Sequence, residues 1–285
     1  MFMTTQPQQH RARRIARVVR AMPARAGMNV RLKRVIGGEG LPNLDPFLAF
    51  DELTTGAADG IDGGFPSQTN RGFESITYIS QGRLRYSDNA GRESVVAAGG
   101  VQWLTSGRGL VHSEMPERVG DGGVQAFQFW LNLPAARKMQ TPAYRAIEAV
   151  EIPAVIFPQA EVRLIAGRYH GLLGPVTPEA TCPFVVEVIL KPEGEVTLPM
   201  EGEHDGFIYV YDGGVAVGQS LVSSGQAGIL DGGDILNLTA GRAGARLLVL
   251  TARPLREPIV RHGPFVMTSH EDIKQAFTDY QNGLF

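Results

Sequence analysis

The sequence of 285 residues predicts an all-β protein that consists of two similar jelly-roll domains and a closing C-terminal helix. From about residue 72 onward, short runs of β-branched and aromatic residues alternate with turns that contain Gly or Asp, a pattern typical of sandwiches, barrels and jelly rolls. The chain contains 35 glycines, well above the usual share of about 7%, which favours many turns. At roughly 150 residues per domain, this length allows two domains.

The expected strands form two sets that repeat each other. They lie at 73–79, 83–86, within 95–104 and at 126–131 in the first half, and at 184–190, 207–211, 215–217, 227–230, 235–238 and 246–251 in the second. Gly72 and Phe73 at the start of the first set correspond to Gly206 and Phe207 in the second. A repeat on the order of a hundred residues indicates two similar domains rather than a solenoid of small units.

One helix is predicted near the C-terminus. Ser269 is a suitable N-cap because Asp272 follows three residues later, and Ile273, Ala276 and Tyr280 are apolar residues at helical spacing. This segment therefore closes the second domain as a helix.

Charge is unevenly distributed along the chain. Residues 1–34 contain nine basic and no acidic residues, whereas the whole chain has a net charge of −2. A transit peptide and a nucleic-acid-binding arm are two interpretations of this segment. The sequence favours a third, a tail that continues into a first strand, because Val30 and Leu32 alternate with Arg31 and Lys33 at the two-residue period of a strand.

These patterns divide the chain into three parts. We expect a basic N-terminal extension at residues 1–28, a first domain at 29–145 and a second domain with the closing helix at 146–285. The candidate site described below lies in the first domain.

Composition excludes several classes of protein and site. The single cysteine, Cys182, rules out an intramolecular disulfide framework and any multi-cysteine zinc or iron–sulfur site. No apolar run approaches the roughly 18 residues of a membrane-spanning helix, and the net charge of −2 provides no overall basic field for nucleic acid. We therefore expect a cytoplasmic protein with no membrane partner, and nucleic acid is not an expected partner.

Two motifs carry the strongest functional signal, and both lie in the first half. They are FPSQTNRGFE at 65–74 and QWLTSGRGLVHSEMP at 102–116. Together with GLPNLDPFL at 40–48, WLNLP at 130–134 and HGPFVM at 262–267, they make the chain resemble the pirin family, whose members are two-domain proteins of the cupin superfamily. The resemblance extends over nearly the whole chain and implies two tandem cupin domains, that is, two double-stranded β-helices.

The resemblance implies a metal ion, usually iron, in the first barrel. The family binds it with a His-x-His pair on one strand and a His-x-Glu pair on another. Residues i and i+2 of a strand point to the same face, so two such pairs on facing strands direct four ligands into the barrel. Three imidazoles and one carboxylate suit a first-row transition metal.

Only the second ligand pair is intact in this chain. His112 and Glu114 match the family's His-x-Glu pair, whereas Gln68 and Asn70 stand at the two positions of its His-x-His pair. A neutral amide oxygen is a weaker donor than an imidazole nitrogen, so we expect a weak or empty metal site and at most a weakly bound divalent ion.

Several arrangements of these residues remain open from the sequence. His112 and Glu114 are either residual metal ligands or hydrogen-bonded pocket residues, and Gln68 and Asn70 are suitable donors for a neutral network with them. Glu74 is a candidate replacement ligand, because some single-domain cupins use a glutamate four residues after the second histidine. An oxygen-rich site for Mn²⁺ or Ca²⁺ is a further alternative.

The second half offers few chemical groups. His204 lies where a cupin places its first ligands but has no second histidine beside it, and His170 and His262 stand alone in the sequence. Nothing cationic lies near Cys182 in the sequence to activate its thiol. The resemblance also implies a metal-free second domain, so we interpret this half as scaffold.

Two classes of function follow from the resemblance. The first is a non-catalytic or vestigial regulator that binds a small aromatic molecule in the first barrel or a partner protein. The second is a metal-dependent flavonol (quercetin 2,3-) dioxygenase that uses a weak or substituted metal, with Glu114 as a ligand or catalytic base.

Overall fold

The computed structural model describes residues 10–26, 30–55, 64–117 and 123–285. The first half contains β1 (Ile15–Arg20), β2 (Met22–Ala26), β3 (Val30–Ile36), β4 (Phe47–Thr55), β5 (Phe65–Asn70), β6 (Phe73–Gln81), β7 (Arg83–Asp88), β8 (Glu93–Ala97), β9 (Val101–Thr105), β10 (Leu110–Glu117), β11 (Val124–Asn132) and β12 (Ala143–Ile147). Short 3₁₀ turns at Ala135–Arg137 and Ala149–Glu151 flank β12.

The second half continues the all-β pattern up to a single α-helix. It contains β13 (Ala154–Ile156), β14 (Ala160–Ala166), β15 (Arg168–Tyr169), β16 (Leu172–Leu173), β17 (Phe184–Leu190), β18 (Glu195–Pro199), β19 (Asp205–Val217), β20 (Ser220–Ser223), β21 (Gln226–Leu230), β22 (Ile235–Ala252), β23 (Val260–His262), β24 (Phe265–Met267) and α1 (His270–Gln281). No helix in the described ranges has the length and apolar character needed to cross a bilayer.

Two sheets form the first barrel. A four-stranded sheet has the order β5-β10-β7-β8, and a seven-stranded sheet has the order β12-β9-β6-β11-β4-β3-β2. Eight strands of the second half and β1 form a nine-stranded sheet in which the long strands β19 and β22 pair with each other and with several shorter strands. The all-β prediction of two jelly-roll domains with a C-terminal helix is therefore confirmed.

Part of the basic N-terminal segment forms a strand of the nine-stranded sheet in the second domain. β1 pairs antiparallel with β21, with Ile15 opposite Leu230. Just before it, the buried Arg13 donates from Nε to Gly233 O at 3.0 Å and from Nη2 to Glu201 O at 2.7 Å. The chain from residue 10 to β1 thus packs on the second domain before it enters the first. The domain boundaries at residues 28 and 145 remain a prediction.

The two domains share one apolar core. Side chains alternate along each strand, so that one face of β6 and β11 lines the first barrel and the other packs against the second domain. Phe47 and Phe50 lie 5.3 and 5.2 Å from the ring of Phe207, and Phe50 lies 4.8 Å from Tyr209, between ring centroids. Burial of these large aromatic surfaces stabilises the domain pair.

Hydrogen bonds to buried carboxylates also connect the two domains. Glu187 of β17 is fully buried and accepts hydrogen bonds from Tyr78 Oη at 2.7 Å and from Tyr211 Oη. Glu52 of β4 accepts from Tyr209 Oη at 2.5 Å. These bonds satisfy polar groups that would otherwise be costly inside an apolar core, and they fix the relative position of the two sheets.

The C-terminal helix packs beside the first barrel. Ser269 caps it by accepting from the backbone amide of Asp272 at 3.1 Å, as the sequence predicts, and Ile273 is buried against β24. Asp279 on the helix accepts from Arg71 Nη1 at 2.8 Å. The helix therefore contacts the residue that directly follows β5, the strand that carries Gln68 and Asn70.

The interdomain hydrogen bond of Tyr78 leads to a stability prediction. In Tyr78→Phe the buried Glu187 loses one donor, which should lower the free energy of unfolding by about 1–3 kcal/mol. Urea denaturation at pH 7 measures this change. Tyr280→Phe on the exposed side of α1 is the matched control and should change stability by less than about 0.5 kcal/mol. Equal stability of the two variants would mean that the bond to Glu187 carries no net stabilisation.

Candidate functional site

The four residues singled out by the sequence lie on one sheet of the first barrel. β10 pairs antiparallel with β5, which places His112 directly opposite Gln68 and Leu110 opposite Asn70. Directly opposite residues of an antiparallel pair share a face, and so do positions 112 and 114 on one strand. A bulge between His112 and Glu114 then sets Glu114 opposite Phe65. The fold therefore brings the four predicted residues to one face of the sheet. Gln68 is paired with His112, and Glu114 is paired further along β5, with Phe65.

Glu114 receives its hydrogen bond from the opposite sheet. It is 2% exposed, and its Oε2 accepts from Gln128 Nε2 of β11 at 2.8 Å. Gln128 Nε2 also lies 3.0 Å from Thr77 Oγ1, and Gln128 Oε1 accepts from Trp130 Nε1 at 3.2 Å. Gln128 is thus a central site residue that the sequence analysis missed. Its signal in the sequence is a lone polar residue within the apolar run Ala126 to Leu131.

Burial controls the protonation of both retained family residues. It raises the pKa of Glu114 to about 7, against the opposing effect of the Gln128 hydrogen bond. It lowers the pKa of His112 to about 4, against the opposing charge of Asp88. His112 Nε2 lies 3.8 Å from Glu114 Oε1, too far for a hydrogen bond. At neutral pH the imidazole is therefore neutral and the carboxyl group titrates.

Aromatic rings border His112 on the barrel side. The ring of Tyr86 lies 5.8 Å from the imidazole at an interplanar angle of 25°, and it stacks on Tyr144 at 3.6 Å and 5°. Tyr86 Oη donates to Asp88 at 2.7 Å, and Tyr144 Oη bonds Ser94 Oγ at 2.5 Å. These bonds hold both rings in fixed positions beside the site.

One polar atom of each amide at the family's histidine positions has no hydrogen-bond partner in the described part of the chain. Gln68 Nε2, Asn70 Oδ1 and His112 Nδ1 are all buried without a hydrogen bond in the described part of the chain. The neutral network suggested by the sequence, with Gln68 as a donor to Glu114 or His112, is therefore absent, and Gln128 takes the role of donor to Glu114. The register explains this difference, because Gln68 lies in the rung of His112 rather than that of Glu114.

The alternative that Glu74 replaces a lost ligand is wrong. Thr77 of β6 faces the barrel interior, where it contacts Gln128, and Glu74 lies an odd number of residues away, on the opposite face. There it accepts from Thr105 Oγ1 at 2.9 Å and Trp103 Nε1 at 3.2 Å. Burial raises its pKa in that position.

The side chains present do not fit the iron site that the resemblance implies. Only one imidazole remains of three, and one oxygen of Glu114 is already bonded by Gln128. Within the residues that the structure describes, no three His, Cys, Asp or Glu side chains are grouped so that they could hold a metal ion. One imidazole, one carboxylate and two amides stand where the resemblance implies three imidazoles and one carboxylate, and amide oxygens are weaker donors to a transition metal.

The remaining histidines of the second half lie apart from this site. The His262 ring packs edge-on against Phe277 at 5.1 Å, and that of His170 against Tyr169 at 4.5 Å. His204 is buried at the open end of the second barrel.

Comparison with known proteins agrees with the architecture. The family model described as "Pirin" matches residues 29–131, and that described as "Pirin C-terminal cupin domain" matches residues 185–285. The chain is 39% identical to a pirin-like protein of Caulobacter vibrioides, with 96% of this chain and 99% of the relative covered. It is 40% identical to the Pseudomonas aeruginosa protein named "Putative quercetin 2,3-dioxygenase", with 92% and 94% covered.

A solved structure gives the same picture at the level of the fold. A crystal structure of quercetin 2,3-dioxygenase from Acinetobacter baumannii matches with a TM-score of 0.88 at 28% identity, over 96% of this chain and 99% of that one.

The raised pKa of Glu114 gives a testable pH dependence of stability. The folded state favours the protonated acid, so its contribution is complete below the unfolded pKa of 4.5 and is lost as pH rises to about 7. Glu114→Gln removes this loss. Between pH 4.5 and 7 the free energy of unfolding of the variant should rise relative to that of the parent by roughly 3 kcal/mol at most, and above pH 7 the difference should stay constant. Urea denaturation at several pH values, with a chelator present, measures the difference.

Glu117→Gln on the same strand is the matched control, because the Glu117 carboxylate is partly exposed and bonded by Arg85 at 2.6 Å. Parallel pH curves for the parent and Glu114→Gln would contradict the predicted protonation of Glu114. The titration of His112 has the opposite sign, but it is present in both proteins and cancels in the comparison.

Proposed function

The chain belongs to the pirin family, and we propose that it is a metal-poor pirin that binds a small uncharged aromatic molecule in its first barrel without cleaving it. A role as a binding regulator, through this pocket or through a partner protein, follows from that proposal. The observation that carries it is the hydrogen bond from Gln128 Nε2 to the buried Glu114, where the family uses a cation.

The energetics of a buried carboxylate support this interpretation. A buried charge needs a cation, hydrogen-bond donors or a proton. Here Gln128 supplies a donor, and the pKa of Glu114 near 7 makes a proton available. Replacement of two of three imidazoles by Gln68 and Asn70 should lower the affinity for iron by several orders of magnitude.

The lining of the site supports an aromatic, uncharged ligand. The rings of Tyr86 and Tyr144 lie parallel next to His112 and make this side of the site aromatic. The unpartnered Gln68 Nε2 and Asn70 Oδ1 offer one donor and one acceptor. A neutral molecule with hydroxyl or carbonyl groups would pair with both.

Flavonol dioxygenase activity is the second candidate function. The names of the Pseudomonas and Acinetobacter relatives favour it. In that case His112 and Glu114 would be the remaining ligands of a weakly held divalent ion, which would bind and polarise the flavonol oxygens, with Glu114 alternatively serving as a base. The amides at positions 68 and 70 weigh against this candidate.

The first test is metal content. Protein purified without added metal should contain well below one equivalent of iron by elemental analysis, because only one imidazole donor is present. The double variant Gln68→His/Asn70→His restores the family's donor set and should approach one equivalent of iron after loading. Near-stoichiometric iron in the parent protein would overturn the proposal.

A matched control uses the other face of β5. In Ser67→His/Thr69→His the same two imidazoles stand on the same strand at the same spacing but point away from Gln68 and Asn70. This variant should bind no more iron than the parent. If it binds as much as the interior variant, the iron is not held by the barrel.

A turnover assay separates the two candidate functions. Quercetin should quench the intrinsic fluorescence of the protein on binding but should not be consumed, with or without added Fe²⁺, Mn²⁺ or Ni²⁺. The double variant Gln68→His/Asn70→His, loaded with the same ions, serves as the positive control for metal binding. Metal-dependent cleavage of quercetin by the parent at an enzymatic rate would favour the dioxygenase.

A further inference from the structure

The second barrel contains a cavity of about 530 Å³ at its open end. Its apolar wall includes Phe184 and Met200, which also belong to the apolar core inside that barrel. Its remaining apolar lining comes from Leu173, Val176, Pro178, Pro183 and Pro199. The volume lies within the range of roughly 300–1,000 Å³ that is usual for small-molecule sites.

His204 is a buried polar group on the wall of this cavity. It is 8% exposed, and its Nδ1 has no hydrogen-bond partner among the described residues. In the internal repeat that matches Gly72 with Gly206, His204 corresponds to Asn70. The second barrel therefore presents an imidazole at the position where the first barrel presents an amide.

A second unpaired polar atom lies nearby in the same barrel. Thr251 of β22 is fully buried, its Oγ1 has no partner within the described ranges, and it pairs in register with the cavity residue Phe184. Buried polar atoms in folded proteins nearly always have a partner, which is a bound water or ligand where the protein supplies none. Thr251 does not itself line the cavity, so the unpaired Nδ1 of His204 is the buried polar atom on the cavity wall, and it points to a polar occupant.

Arg253 supplies a fixed positive charge at the rim. Its Nε and Nη2 donate to Ala180 O at 3.2 and 3.0 Å, and Nη2 also reaches Glu179 O at 3.3 Å and Cys182 Sγ at 3.1 Å. These acceptors are two backbone carbonyls and a thiol, so none of them is a carboxylate that would neutralise the guanidinium. The carboxylate of Glu179 is bonded by Arg137 at 3.0 Å instead.

We infer that this cavity binds a small organic carboxylate with a flat apolar body, at a site distinct from the one in the first barrel. The carboxylate contacts the guanidinium of Arg253, the body of the ligand lies between Phe184 and Met200, and the imidazole of His204 makes a further hydrogen bond. Arg253 is already held by its backbone contacts, so little conformational freedom is lost when the anion binds.

Benzoate is a suitable probe because it combines one carboxylate with a flat ring. Isothermal titration should give saturable binding to the full-length protein. Benzyl alcohol has the same ring without the charge and should bind at least about tenfold more weakly, since a charge-assisted hydrogen bond is lost.

Two variants test the assigned contacts. Arg253→Gln and His204→Phe should each weaken benzoate binding, by about tenfold or more for Arg253→Gln. Arg242→Gln is the matched control, because Arg242 is an exposed arginine on β22 outside the cavity lining, and it should leave the affinity unchanged. Thermal unfolding verifies that each variant is folded.

The single cysteine locates the bound probe. Cys182 is exposed and lines the cavity, so its alkylation by iodoacetamide reports on this site alone. Saturating benzoate should slow the alkylation severalfold in the parent protein and have little effect in His204→Phe. This readout remains decisive if Arg253→Gln does not fold.

The proposal fails if benzoate shows no saturable binding, or if it binds without protecting Cys182. It fails equally if benzyl alcohol binds as tightly as benzoate, or if folded Arg253→Gln retains the parent's affinity. Its outcome is independent of the first barrel, because neither the probe site nor the thiol contacts His112 or Glu114.

Discussion

The structure depends on the alternation of side chains along strands whose two faces border different parts of the protein. On β6 and β11 one set of alternate residues lines the first barrel, and the other set packs against the second domain. Thr77 and Gln128 belong to the barrel set, while Tyr78 and Phe127 belong to the shared core. A shift of one residue in register would exchange the two sets. The aromatic packing between the domains therefore also fixes which polar side chains can reach the site.

The second constraint is the cost of a carboxylate inside a barrel. Glu114 and Glu187 are both fully buried or nearly so, and they meet this cost in different ways. Glu187 has two tyrosine hydroxyl donors and lies 3.3 Å from Arg246 Nη2, whereas Glu114 has, among the described residues, one amide donor and the imidazole of His112 at 3.8 Å. The raised pKa of Glu114 follows from that poorer environment. An incompletely satisfied group of this kind is typical of a functional site rather than of a structural anchor.

Much of the architecture was predictable because the determinants are local. Turn glycines, short β-type runs and the Ser269 cap predict strands and the helix from neighbouring residues alone, and the i, i+2 spacing predicts the shared face of His112 and Glu114. The rest depends on long-range pairing. The contact between Gln128 and Glu114 joins two sheets, and the face on which Glu74 lies depends on which set of β6 residues enters the barrel. A single sequence does not specify those registers.

The internal repeat, which matches Gly72 with Gly206, allows the interiors of the two barrels to be compared position by position. The first barrel keeps His112 and Glu114 deep in its interior and has amides at the other two family positions. The second has the imidazole of His204 on its cavity wall. It also has Arg253 at the rim, where the guanidinium donates a hydrogen bond to the backbone carbonyl of Ala180. The polar groups of the two interiors therefore differ: the first has two amides beside His112 and Glu114, and the second has an imidazole with an arginine at its rim. Both interiors nevertheless rest on one aromatic core, in which Phe47 and Phe50 of the first domain contact Phe207 of the second, so the packing that positions one barrel also positions the other.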